Sequence, residues 1–266
     1  MTRDTAPTGL IVRSLGWFGL GVVALVVFLS DFLARQPAGA VLTGPMLNPP
    51  SPLHPFGTDT LGRDVFSETL HGLAVTGVDA VVAALIAIVF GGMFGAVAAR
   101  LPRPLAETLR ALWGVLAAIP SLLLVILLIG LTGYGFVPLA AGLAAAPLGF
   151  VRAFDQTDLK SSHAEYARAT GIPSMTLLKR DLTYDFRYLI GSVVARALAA
   201  VTILIATASF LGFGAAPPAR DLGLMIAAAK ISYLSAWWTA AFPAMALVFL
   251  ILSARLAAGL DEAERA

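Results

Sequence analysis

Residues Ser162 to Tyr188 read S-H-A-E-Y-A-R-A-T-G-I-P-S-M-T-L-L-K-R-D-L-T-Y-D-F-R-Y, a polar segment in a chain whose mean hydropathy is +0.85. Ser162 and Glu165 have the spacing of a capping box, which predicts that a helix begins here. Gly171 can end that helix because glycine tolerates left-handed backbone, and Ser174 can cap a second helix. The segment therefore predicts two short helices with one apolar and one basic face, which is typical of a docking surface and not of a catalytic centre.

The remainder of the chain has the composition of a membrane protein. Of its 266 residues, 58% are hydrophobic and 13% are charged, whereas soluble domains carry about 25% charged residues. Several apolar runs approach the roughly 20 residues that a helix needs to cross a ~30 Å hydrocarbon core. We therefore predict an all-α, polytopic membrane protein with a single transmembrane domain over residues 1–266. The six predicted transmembrane helices are 14–33, 73–99, 112–131 (with a kink at Pro120), 136–151, 187–211 and 238–258.

Several functional classes are disfavoured by the sequence. The chain has no cysteine, so it has no disulfide and no thiolate metal site. It lacks the G-x-x-x-x-G-K-[ST] pattern of an ATP-binding P-loop and any basic-aromatic nucleic-acid module. His54 and His71 have no fixed ligand spacing, and we interpret both as structural. We therefore expect no catalytic residue, no cofactor, no metal site and no nucleic-acid partner.

A second informative stretch, His54 to Ser67, reads H-P-F-G-T-D-T-L-G-R-D-V-F-S and lies in a proline-rich segment, residues 36–72. Two glycines, Gly57 and Gly62, permit tight turns. Three charged residues can pair with one another or cap the following helix: Asp59, Arg63 and Asp64. We predict an ordered external loop over residues 36–72.

Three stretches carry a resemblance to one family. The Glu165-to-Leu182 pattern resembles the EAA loop of permease subunits in binding-protein-dependent ABC importers, although Tyr166 replaces the usual alanine. The His54-to-Ser67 stretch is similar to the corresponding segment of dipeptide, oligopeptide and nickel permeases. A third stretch, from Ser209 to Met225, is similar to the family's S-F-L-G-x-G-x-x-P-P…W-G-x-M segment, with Leu222 in place of the tryptophan. Residues 222–235 are predicted to form an external or re-entrant helix too short to span a membrane.

The resemblance implies a type I-like permease fold and a set of partners. These are a second homologous permease subunit, two ATP-binding subunits that hydrolyse ATP, and an extracytoplasmic solute-binding protein. It also implies that residues 152–186 form a cytoplasmic coupling loop. The residues it assigns to ATPase coupling are Glu165, Tyr166, Ala167, Arg168, Gly171 and Leu182. The family implies a di- or oligopeptide substrate, with a nickel chelate as the alternative.

The distribution of basic residues predicts the orientation in the membrane. Of the 18 lysines and arginines, four fall on the side of loop 36–72, thirteen fall on the opposite side and Arg196 falls within a span. Because the side richer in Lys and Arg is cytoplasmic, both termini and the Ser162–Tyr188 segment are predicted to be cytoplasmic. We predict a multi-pass protein of the bacterial cytoplasmic (inner) membrane, surrounded by lipid.

Two ionisable residues, Asp79 and Arg196, fall well within predicted spans. Either could face the translocation path, and Arg196 could instead extend its guanidinium to the cytoplasmic interface. A secondary transporter without an ATPase usually places ionisable residues in several spans, so this pattern disfavours that alternative. A non-transporting scaffold is a further alternative, and the glycine-rich second span and the kinked third span argue for moving parts instead.

Overall fold

A computed structural model of the chain describes residues 7–98, 101–133, 141–143, 174–214 and 220–259. Within these ranges the fold is helical and contains no strand, apart from an isolated bridge between Thr58 and Asp64. The helices are α1 (Pro7–Phe28), α2 (Ser30–Leu33), α3 (Val65–Ala98), α4 (Arg103–Ala118), α5 (Ser121–Thr132), α6 (Ser174–Ala208), α7 (Leu222–Ala228) and α8 (Trp238–Ala258). A π-helical turn, Ser209–Phe213, follows α6, and a 3-10 turn, Ala229–Ile231, follows α7.

Four helical segments of the described residues are long and apolar enough to cross a membrane. They are Ile11–Phe28, Val65–Phe94, Gly191–Phe213 and Trp238–Ala258. Two shorter apolar helical segments, Ser121–Leu131 and Leu222–Ile231, lie below that length. The chain is thus a multi-pass membrane protein. Most of the predicted fourth span, 136–151, lies outside the described residues.

Small side chains form part of the packing between the helices. A core between α3, α5 and α6 contains fully buried residues of all three helices, among them Ala80, Ala83, Val125 and Val201. Helix α1 lies against α8 at Gly16, where a Cβ atom would lie only 2.0 Å from the backbone nitrogen of Ala257. Residues without bulky side chains let membrane helices approach closely, and this is the contact that the glycine provides.

Three helix boundaries differ from those predicted from the sequence. Helix α3 begins at Val65, inside the predicted external loop, because the carboxylate of Asp64 caps its first turn. The predicted third span is divided between α4 and α5 at Pro120, which has no backbone N–H to continue α4. Helix α6 runs without a break from Ser174 to Ala208, so the second helix predicted for the coupling loop and the predicted fifth span are one element.

Candidate functional site: the external junction

Loop 36–64 folds back on itself and is held by backbone hydrogen bonds. Residues 42–48 lie along residues 58–62, with bonds that include Leu47 N to Asp59 O at 3.0 Å and Thr58 N to Asn48 O at 2.9 Å. Gly57 and Gly62, both predicted to sit in turns, have φ angles of +72° and +66°. A Cβ atom at Gly57 would lie 2.6 Å from Asn48 O, and one at Gly62 would lie 2.5 Å from Gly44 O. Both positions therefore require glycine for conformation and for space.

Asp64 joins this loop to the start of α3. Its Oδ2 accepts hydrogen bonds from Ser67 N at 3.0 Å and from Ser67 Oγ at 2.7 Å. Its Oδ1 lies 2.9 Å from His54 Nδ1, and the Asp64 side chain is only 1% exposed. The carboxylate is thus a helix cap with a second partner, and His54 has the structural role expected of it.

Asp59 orders the turn that precedes α3. Its Oδ1 accepts from the backbone nitrogens of Leu61 at 2.8 Å and Arg63 at 2.9 Å. Its Oδ2 lies 3.4 Å from Nη1 of Arg220, a residue 161 positions further along the chain. One carboxylate therefore fixes a local turn and a long-range contact at the same time.

The charged residues of the loop find partners that the sequence pattern did not indicate. Arg63 Nη1 lies 3.9 Å from Glu68 Oε2, and Arg220 Nη1 lies 3.5 Å from the same oxygen. The other oxygen, Glu68 Oε1, accepts from Gly39 N at 2.7 Å. Asp59, Arg63 and Asp64 were predicted to pair with one another or to cap the helix. Asp64 does cap α3, and Asp59 accepts from the backbone of Arg63, but the ionic partners of Asp59 and Arg63 are Arg220 and Glu68. Glu68 and Arg220 carry no local signal, since their partnership depends on the approach of distant segments.

Further contacts complete this region, which we name the external junction: loop 36–64, the first turns of α3, residues 220–225 and the start of α8. Trp238 Nε1 donates to Thr58 O at 3.1 Å, and Leu222 N donates to Thr76 Oγ1 at 3.0 Å. Asp221 caps α7 by accepting from Leu224 N at 2.9 Å. Two stretches that carried the family resemblance, His54–Ser67 and the described part of Ser209–Met225, thus meet at one place.

The external junction contains a small, partly open cavity. The polar residues that line it are Asp59, Thr60, Glu68, Arg220, Ser232 and Thr239. Its volume of about 20 Å³ has room for roughly one water molecule. Ion pairs and hydrogen bonds around so small a space can fasten segments together but leave no room for an organic solute.

The other predicted site residues lie elsewhere. Asp79 is half-buried on α3, and Arg196 on α6 donates from Nη2 to Ser192 Oγ at 3.1 Å. The structure does not bring Asp79 and Arg196 together as an ion pair. Leu182 lies in the N-terminal half of α6. The remaining predicted coupling residues lie outside the described residues, and they are Glu165, Tyr166, Ala167, Arg168 and Gly171.

Histidines and carboxylates meet in pairs in the described ranges, at His54–Asp64 and at His71–Asp31. His71 Nε2 lies 3.2 Å from Gln36 O, and its Nδ1 lies 3.6 Å from Asp31 Oδ1. Within those ranges no group of three or more His, Cys, Asp or Glu side chains is arranged to hold a metal ion. The polar side chains of the external junction are engaged in fastening the fold together.

Comparison with known proteins identifies the class of this membrane protein. The chain is 26% identical over 258 residues to the di/tripeptide transport system permease protein DppC of Pseudomonas aeruginosa, covering 90% of this chain and 83% of that protein. It is 28% identical to the glutathione transport system permease protein GsiD of Pectobacterium atrosepticum, covering 92% and 83%. It is 31% identical to the dipeptide transport system permease protein DppC of Bacillus subtilis, covering 74% and 63%. No protein-family model matches the chain.

The chain is therefore a homologue of the ABC permease proteins of bacterial peptide transport systems, and the resemblance noted in the sequence is confirmed. These relatives are permease components and not enzymes, which agrees with the prediction that this chain carries no catalytic residues.

Proposed function

We propose that the protein is a permease subunit of an ATP-driven importer that carries di- or oligopeptides. The observation that carries this proposal is the similarity, over about nine tenths of the chain, to permease proteins of peptide transport systems. The names of these relatives refer to di- and tripeptides, peptides and glutathione, which favours a short peptide over a nickel chelate.

The assembly follows from the proposed role. We propose a second homologous permease subunit, two ATP-binding subunits on the cytoplasmic side and a solute-binding protein outside. The chain would cross the inner membrane six times with both termini in the cytoplasm, in a type I-like permease fold. The excess of Lys and Arg on the side of the termini supports this orientation.

Helix α6 offers a direct mechanical route from the ATPase to the outside. It has 35 residues, which corresponds to a length of about 52 Å at 1.5 Å per residue. In the proposed orientation it begins within the predicted coupling loop, residues 152–186, and ends close to the external junction, through the turn Ser209–Phe213 and its kink at Gly212, where φ is +98°. Gly214 after this turn lies against Asp221, since a Cβ at Gly214 would be 2.6 Å from Asp221 Oδ2. Movement of the coupling loop would thus be carried by one continuous helix as far as the kinked turn beside the external junction.

We propose that the external junction orders the mouth of the path and does not bind the solute. Its charged groups already have protein partners, and its cavity is too small for a peptide. A fixed external rim of this kind would give the solute-binding protein a defined surface to dock on.

Reconstitution tests the proposed function. The complete complex is placed in proteoliposomes with ATP inside and with labelled dipeptide and its binding protein outside. We expect uptake that requires both ATP and the binding protein. Uptake without ATP would establish a secondary transporter, and ATP-dependent uptake of a nickel chelate but not of peptides would establish the nickel alternative. Failure of this chain to co-purify with an ATP-hydrolysing subunit would contradict the proposal altogether.

A further inference from the structure

The turn Ser209–Phe213 joins the continuous helix α6 to the external junction. Its backbone is irregular, because Gly212 has a φ of +98° and a ψ of 6°, outside the helical region. A Cβ atom at Gly212 would meet nothing within 4 Å. Glycine is therefore favoured there by the backbone angle and not by the space around it. Wide turns of this kind within helices are frequent at functional positions.

The hydroxyl of Ser209, the first residue of this turn, is buried without a hydrogen-bond partner among the described residues. The residue is 0% exposed, so the hydroxyl does not face a second subunit. Two other hydroxyls of the same helix, those of Thr202 and Thr207, donate to the carbonyls four residues before them at 2.6 and 2.7 Å. A buried hydroxyl without a partner lowers stability. Its presence points to a role in another conformation of the turn.

An acceptor for this hydroxyl lies on the other side of Gly214. The position of a Cβ atom at Gly214 is 2.9 Å from Ser209 Oγ and 2.6 Å from Asp221 Oδ2. Asp221 is only 1% exposed, and its Oδ1 caps α7 by accepting from Leu224 N. A carboxylate has about four lone-pair sites, so Oδ2 can accept a further bond while the cap is kept. A small displacement of Gly214 would therefore let the Ser209 hydroxyl reach Asp221.

The next residue of the turn, Phe210, already has a partner in the described conformation. Lys230 Nζ lies 3.8 Å from the centre of the Phe210 ring, in a cation–π arrangement. Lys230 is exposed and belongs to the turn Ala229–Ile231 that follows α7. The described conformation thus makes the contact at Phe210 and leaves the one at Ser209 unmade.

We propose that the turn Ser209–Phe213 is a two-state hinge of the transport cycle, an inference that rests on the proposed function. In the described state Phe210 contacts Lys230 and Gly212 has a positive φ. In the second state Gly212 takes helical angles, Phe210 leaves Lys230 and Ser209 donates to Asp221. Ion pairs fix the external junction on one side of the turn, and α6 is continuous on the other. The turn between them is where a movement of α6 is absorbed, as hinges at the ends of elements do.

Acylation of Lys230 reports which state is occupied, because the amine reacts faster once it leaves the Phe210 ring. The chain has three lysines, Lys160, Lys179 and Lys230, so mass spectrometry assigns the modified position. The complete complex in lipid nanodiscs, with the binding protein, is treated briefly with an N-hydroxysuccinimide ester at rest and after trapping with ATP and orthovanadate. We expect the rate at Lys230 to rise about two- to fivefold on trapping, the factor that an exposed cation–π contact provides. An unchanged rate in a complex whose uptake requires ATP would overturn the hinge and leave the proposed function standing.

Two substitutions are expected to shift the hinge in opposite directions. Ser209→Ala removes a hydroxyl that has no partner in the described state, so we expect an unchanged melting temperature, no rise at Lys230 on trapping and a loss of uptake of about tenfold. Gly212→Ala strains only the described state, because its Cβ has free space but an unfavourable φ. We therefore expect its resting complex to react at the faster rate, a result that needs no ATP. A resting rate in Gly212→Ala equal to that of the unmodified complex would overturn the proposal.

Two control variants keep the measurement specific. Thr207→Val is matched to Ser209→Ala, since the Thr207 hydroxyl donates within its own helix and keeps that partner in both states. We expect it to retain the rise at Lys230, and a loss equal to that of Ser209→Ala would overturn the role of the Ser209 hydroxyl. Phe210→Leu removes the ring, so Lys230 should react equally fast at rest and after trapping. A difference that persists in Phe210→Leu would overturn the assignment of the Phe210 contact to the hinge.

Discussion

The external junction and the core between α3, α5 and α6 are held together in different ways. The junction relies on ion pairs and hydrogen bonds, such as the one from Trp238 Nε1 to the carbonyl of Thr58, 180 residues away. The core is lined largely by alanine and aliphatic side chains, including Ala83, Val125 and Ile205. Directional bonds permit few arrangements, whereas apolar packing depends on shape and on close approach. The comparison distinguishes a junction that is fixed by specific polar partners from a core that is fixed by the fit of small side chains.

The largest effect is expected in the external junction, which is held by ion pairs and hydrogen bonds. Glu68→Ala removes the carboxylate shared by Arg63 and Arg220, whose side chains are largely buried. Leaving buried charges without this partner should lower the free energy of unfolding by roughly 3 kcal/mol. Thermal unfolding of the detergent-solubilised chain measures the loss. Glu107→Ala, at an exposed position on α4, is the control. Equal melting temperatures for the two variants would show that the junction is not held by its charges.

The second largest effect is expected in the apolar packing between α1 and α8. Gly16→Leu would place a side chain against the backbone of Ala257, so α1 would be forced away from α8. We expect the free energy of unfolding to fall by about 2 kcal/mol, as overpacking generally does. Gly21→Leu on the same helix is the matched control, because nothing lies within 4 Å of a Cβ at Gly21. Leucine favours the helix more than glycine does at both positions, so a similar loss in both variants would show that the close contact at Gly16 does not set the cost.

A smaller effect is expected at Arg63, whose ion pair with Glu68 is long at 3.9 Å. Arg63→Ala should lower the free energy of unfolding by about 1 kcal/mol. Because we propose that the junction orders the path and does not bind solute, uptake of dipeptides and tripeptides should fall in equal proportion. The ratio of the two uptake rates is the measurement. An altered ratio in a fully assembled complex would make Arg63 a specificity residue.

The smallest effect is expected at Arg196, in the apolar region below the junction. Its guanidinium bonds to Ser192, four residues nearer the end of α6 that we propose to be cytoplasmic. This direction agrees with a side chain that extends toward the interface. We therefore expect Arg196→Lys to retain full uptake and Arg196→Leu to change uptake by less than about twofold. A large loss of uptake by Arg196→Leu in an intact assembly would instead place Arg196 in the translocation path.

Local features of the structure were predicted correctly from the sequence where a few neighbouring residues determine them. Gly57 and Gly62 were expected in turns, and both have the positive φ that favours glycine. The residues after Asp221 were expected to form a helix too short to span, and α7 has seven residues. The cap at Asp64 was among the roles expected of it, because a cap needs only the next turn of chain.

Continuity between elements was harder to predict. The break predicted before Ser174 suggested a separate short helix, but α6 continues to Ala208 because no proline or glycine turn interrupts it after Ser174. Its one glycine in the span region, Gly191, is accommodated within the helix. The kink predicted at Pro120 is a full break between two helices, and hydropathy did not indicate that the first of them begins as early as Arg103.

The sequence by itself determined that this is a helical, multi-pass membrane protein, because apolar runs, glycine turns and helix caps act over distances of a few residues. It did not determine which charges meet at the external junction. Arg220 lies 161 residues from Asp59 in the chain and 3.4 Å from it in space. Only the packing of α3, α7 and α8 brings such groups together. The partner of a buried charged residue depends on the tertiary structure around that residue and not on the residues next to it in the sequence.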